Sequence, residues 1–217
     1  MALLDFLFRR HKRKERSDGP PAGREAVDEA VALYESGRAQ EAEDRLSALV
    51  AEVSGSELAR CHYVLGLIAE SRLGAPVDDD FDEVEEAMIH YREALRIDPS
   101  NVDARIRLGM LCARSGFFED ALREIEEAVR TAPRNGRVRA KAAELYYVLS
   151  AAKEVKVGHP TGLGATTDFK GAKRYIELAR AEVEAALDCA PSLMDEGEFA
   201  ALRERIEERY RRLLKGG

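Results

Sequence analysis

Apolar residues recur along this chain at the three- and four-residue spacing of one helix face, and strict alternation over β-branched residues is missing. The clearest stripe is the last one. Phe199, Leu202, Ile206, Tyr210 and Leu213 fall on one side of a segment from about Asp195 to Lys215, with Arg and Glu on the other faces. Earlier stretches read the same way. Arg139–Val155 is predicted helical and carries Ala143, Tyr146 and Tyr147, and a second helix follows over Phe169–Cys189 and stops before Pro191. The expected fold class is all-α.

The pattern also repeats. Glu93-Ala94-Leu95-Arg96-Ile97-Asp98-Pro99-Ser100-Asn101 lies above Glu127-Ala128-Val129-Arg130-Thr131-Ala132-Pro133-Arg134-Asn135 at an offset of 34 residues, matching in Glu, Ala, Arg, Pro and Asn. The unit at about 102–135 is the most regular. Leu108-Gly109 stands in its first helix, Gly116 at the turn, Ala121 and Ala128 in its second helix, and Pro133 at the exit. Gly109 and Ala121 let two helices approach closely. Gly116 supplies a left-handed turn, and Pro133 ends the helix. The unit at about 58–101 keeps Leu65-Gly66, Ala87, Tyr91, Ala94 and Pro99. With the stretch 74–81 between its helices, its spacing from Gly66 to Ala87 exceeds that from Gly109 to Ala121 by nine residues, so its turn should bulge. A weaker unit at about 23–56 keeps Ala30, Gly37, Ala42 and Leu46, with Ser54 in place of the exit proline. In the fourth unit a Gly- and Thr-rich stretch at 157–170 separates the two helices.

A period of this length, with small residues at helix crossings and Pro at the joints, resembles the tetratricopeptide repeat. The resemblance covers about 24–193. It implies a right-handed solenoid of about four helix-turn-helix repeats, closed by a capping helix over 194–217 that covers the apolar end. It also implies a non-catalytic adaptor or scaffold that binds a protein or peptide in a concave groove lined by the first helix of each repeat. Carried onto this sequence, that face falls on Val27, Val31 and Tyr34, then Arg60, Tyr63 and Leu67. It continues through Ile106, Arg107 and Met110 to Arg137, Lys141, Glu144 and Tyr147. Tyr and Arg are the residue types that carry binding energy. One subtype of the family grips the carboxylate terminus of heat-shock chaperones with a fixed Lys and Asn set. Here Val27 and Val31 stand at its leading positions, so that partner is not expected.

Composition adds one asymmetry. Hydrophobic residues make up 45% of the chain, charged ones 35%, and the formal charge is −7. Residues 1–16 hold six Lys or Arg against Asp5 and Glu15, a charge of +4, so the remainder carries −11. An acidic body argues against nucleic acid as a partner. The basic tip follows an apolar run. On a helix, Leu3, Leu4, Phe6, Leu7 and Phe8 share an arc of roughly 200°, with Asp5, Arg9 and Lys12 opposite. Such a helix lies in a membrane interface. Arg10 and Arg13 join Arg9 and Lys12 toward anionic headgroups, each worth about 1 kcal/mol. The opening Met1-Ala2-Leu3-Leu4-Asp5-Phe6 looks like the membrane-targeting start of the topological-specificity factor of the bacterial Min division system. Charge after the apolar run is the reverse of a secretory signal, and the run is too short to span a bilayer. The expectation is reversible docking on the cytoplasmic membrane face, with 17–23 as a linker. The alternative is a soluble cytoplasmic chaperone or assembly factor whose N-terminal helix contacts protein.

Candidate chemistry is thin. Cys61, Cys112 and Cys189 form no pair or zinc spacing and are expected to be buried thiols. His11, His62, His90 and His159 lie at no metal-binding spacing. Gly158–Thr167 lacks the Gly-Lys-Ser/Thr ending of a phosphate loop. The acidic run at 78–83 lacks the calcium-loop Glu, since position twelve is Ile89. Leu213–Gly217 looks like the tail of ubiquitin-like modifiers, without their strands upstream. No enzyme, cofactor or metal is expected.

Overall fold

The computed structural model describes residues 21–73, 81–154 and 169–215. These residues form nine α-helices and one 3₁₀ turn, and no strand occurs among them. The helices are α1 (Pro21–Glu35), α2 (Ala39–Leu49), α3 (Gly55–Arg72), α4 (Phe81–Ile97) and α5 (Val102–Arg114). They continue with α6 (Phe118–Thr131), α7 (Gly136–Glu154), α8 (Phe169–Cys189) and α9 (Gly197–Lys215), with the 3₁₀ turn Pro191–Asp195 before α9. Helix α1 opens at Pro21, inside the stretch read as a linker. Proline suits a first helical turn because the amide it lacks has no partner there. The N-terminal amphipathic segment, residues 74–80 and residues 155–168 lie outside the described residues.

The chain divides into two compact units, residues 1–104 and 105–217. In the first, α1 packs on α2 and α3 on α4 as antiparallel hairpins, and α3 also touches α1 and α2. Ala30, Ala42 and Leu46 are fully enclosed in the α1–α2 pair. In the α3–α4 pair, Gly66 sits against the ring of fully buried Tyr91, whose hydroxyl donates to Glu70 Oε2 at 2.6 Å. In the second unit, Gly109 on α5 lies against Ile125 and the Ala121 carbonyl on α6. Helix α7 pairs with α8, and α9 lies on α8. Phe199, Leu202, Ile206 and Leu213 of α9 are buried as the stripe predicts, and Tyr210 lies under the Arg180 guanidinium, 4.1 Å from the ring centre.

The repeated residues do the same job twice. Glu93 pairs with Arg96, and Glu127 with Arg130, one turn apart on exposed helix faces. Ala94 and Ala128 are fully buried. Asn101 Oδ1 accepts from the Ala104 amide at 3.0 Å, and Asn135 Oδ1 accepts from the Arg137 amide at 3.1 Å, so each Asn caps the helix that follows. The two tight turns also match. Gly37 and Gly116 have φ of 83° and 81°, and the next amides, of Arg38 and Phe117, donate to Leu33 and Cys112.

Cys61 and Cys112 are buried as expected, but Cys189 is exposed. It ends α8, where the helix has passed its last buried neighbour, Ala186.

Candidate functional site: a basic cleft between α7 and α9

The residues predicted to line a groove have different fates. In the first unit, Tyr63 and Leu67 are 7% and 4% exposed. Tyr63 packs at 6.0 Å from Tyr91 between ring centres, so both side chains serve the hairpin core. Val27 and Val31 are buried likewise. Arg60 is tied to Asp28 at 2.5 Å and lies 3.6 Å from Glu57, while Tyr34 is half-buried. In the second unit, Ile106, Arg107 and Met110 are half-buried on α5. Arg137 reaches Glu196 at 2.9 Å, and Lys141 holds Glu144 at 2.7 Å.

Tyr147 leads to a site that the carried-over face did not include. It forms one wall of an open cleft of ≈ 430 Å³ completed by Arg205, Glu208, Arg209, Arg211, Arg212 and Lys215 of α9. Five cations face a single carboxylate there. Arg205, Arg209 and Arg212 recur at helical spacing along one edge of α9, beside the stripe that anchors the helix. The guanidiniums of Arg205 and Arg209 lie 4.8 and 5.7 Å from the centre of the Tyr147 ring. Both are within reach of its electron-rich face.

Arg209 fixes the geometry. Its Nε donates to Ser150 Oγ at 3.0 Å and its Nη2 to the Ser150 carbonyl at 3.0 Å. Ser150 is fully buried and donates in turn to the Ala172 carbonyl on α8 at 2.8 Å. One arginine therefore stitches α9 to α7, and through the serine to α8. Arg180 of α8 adds a further tie to Glu207 of α9 at 2.7 Å. A site lined mostly by charge suits an anionic guest, since apolar ligands need apolar walls. Arginine forks match carboxylates in particular. The α9 arginines were visible in the sequence only as the polar face of a cap. Their recurrence along one edge was the available signal.

Among the described residues no helix is long and apolar enough to cross a membrane. The comparisons with known proteins agree with the hairpins. Residues 81–149 match the family model of the tetratricopeptide repeat. That segment spans α4, both helices of the most regular unit and most of α7. Among solved structures, a MamA double mutant (RS-1 ArsTM) is similar at a TM-score of 0.52 and 14% identity, covering 90% of this chain and 94% of that one. A thermophilic tetratricopeptide protein of Thermus thermophilus is similar at a TM-score of 0.46 and 16% identity, covering 86% and 98%. Likeness at such identity concerns the fold. No curated protein sequence matches this chain. Among the described residues the fold is all-helical, with tetratricopeptide-like hairpins over residues 81–149, and the repeat match supports a protein-interaction scaffold.

Proposed function

We propose that this chain is a non-catalytic scaffold that receives an acidic segment of a partner protein in the α7–α9 cleft. The observation that carries the reading is five cationic side chains around Tyr147 on a chain whose overall charge is negative. Local concentration of positive charge against a negative background selects a negative partner and steers its approach. The half-buried residues Ile106, Arg107 and Met110 are proposed as secondary contacts. Tyr63 and Leu67 leave the proposed site because packing has consumed them.

Docking on an anionic membrane face through Leu3, Leu4, Phe6, Leu7 and Phe8 with Arg9, Arg10, Lys12 and Arg13 belongs to the same proposal. It rests on the amphipathic order of those residues.

The cleft is tested by fluorescence anisotropy with a labelled oligoglutamate peptide, against an oligoserine peptide of equal length. Binding should favour oligoglutamate, weaken with salt, and fall several-fold in Arg205→Glu/Arg212→Glu. Equal binding of the two peptides, or an unaffected double variant, would overturn the assignment. Flotation with anionic vesicles, with and without residues 1–16, tests the membrane part. A full-length chain that ignores the vesicles removes it.

A further inference from the structure

Two histidines that the sequence separates by 28 positions meet in the first unit. His62 on α3 and His90 on α4 face each other with Nδ1 to Nδ1 at 3.2 Å, ring centres 5.4 Å apart and planes inclined by 35°. The α3–α4 hairpin is the cause. Its close crossing, set by Gly66 against Tyr91, brings the helices near enough for one ring from each to touch. Both rings are half-buried.

We propose that His62 and His90 form a two-histidine chelate for a borderline divalent ion, Zn²⁺ or Cu²⁺, clipping α3 to α4. Imidazole binds these ions at 2.0–2.1 Å, and two nitrogens 3.2 Å apart then subtend about 100° at the metal, close to tetrahedral. Both rings then carry their hydrogen on Nε2 and turn both Nδ1 lone pairs to the metal, and the neutral pair releases no net proton. The surrounding charge is mixed: Glu93 and Arg96 of α4 act on His62, and Glu43 of α2 acts on His90 while held by Arg72 of α3. No group of three or more His, Cys, Asp or Glu side chains placed for a metal occurs among the described residues, so water fills the remaining positions. An open two-ligand site of this kind exchanges its ion readily.

The experiment uses the full chain in a Cys189→Ser background, which removes the exposed thiol as a competing ligand. Titration calorimetry with Zn²⁺ should show one site. His62→Gln and His90→Gln should each weaken it by about tenfold or more, as loss of a direct ligand exceeds the usual cost of losing an outer partner. His11→Gln/His159→Gln should leave it unchanged. Electron paramagnetic resonance of the Cu²⁺-loaded chain should show coupling to two imidazole nitrogens, a readout that needs no histidine variant to fold. Equal affinity in His62→Gln/His90→Gln, or coupling to one nitrogen only, would overturn the assignment.

Discussion

The crossing of α3 and α4 makes a quantitative prediction at Gly66. A methyl group there would meet Tyr91 Cε1 at 2.6 Å, Cδ1 at 2.8 Å and Cζ at 3.1 Å. Ordinary carbon contacts begin near 3.5 Å, so the ring must move by about 1 Å. It has little room to do so. Tyr91 is fully buried, its hydroxyl is bound to Glu70, and its ring packs against Tyr63. Overpacking of this kind costs about 1–3 kcal/mol. Displacing the ring from Glu70 adds about 1 kcal/mol. Replacing a helical glycine by alanine returns about 1 kcal/mol. Gly66→Ala should therefore lose about 2 kcal/mol, read as a lower urea midpoint followed by circular dichroism. The double variant Gly66→Ala/Tyr91→Leu isolates the cause. Tyr91→Leu alone leaves a space beside Gly66, and the new methyl should fill it. The two changes should then fall short of additivity by about 1–3 kcal/mol. A neutral or stabilising Gly66→Ala, or strict additivity, would refute the crossing geometry.

Further outcomes follow from individual contacts. Arg209→Ala removes both bonds to buried Ser150 and should cost about 2 kcal/mol, with α9 becoming the first segment cut in limited proteolysis. Asn101→Ala and Asn135→Ala should each cost about 1 kcal/mol in thermal or urea unfolding, because each removes the cap of one helix. Burial and the Glu57 carboxylate push the Cys61 thiol up to about 11. Alkylation of the native chain at pH 8 should therefore label exposed Cys189 and spare Cys61 until denaturant is added, as peptide mass mapping would show.

Much of the fold was legible from residue order. Periodicity placed the helices, Pro99 and Pro133 marked the joints, and Gly37 and Gly116 marked the turns whose positive φ they adopt. These signals are local: each depends on what a few neighbouring residues permit the backbone to do. The small residues Gly66 and Gly109 also announced close crossings, because a missing Cβ at a fixed period has few other uses.

The sites were less legible. Tyr63 and Leu67 read as groove surface, yet the tertiary structure spends them on the core, since periodicity gives a helix an apolar face without saying what covers it. Arg205, Arg209 and Arg212 read as a solvated cap face, and only the packing of α9 beside α7 turns them toward Tyr147. His62 and His90 have no spacing that signals a pair, and the hairpin alone makes them neighbours. Residue order alone determined the helices, their turns and their apolar stripes. Tertiary packing decided which side chains were consumed and which were brought together, because that depends on where distant faces meet and leaves no period in the chain.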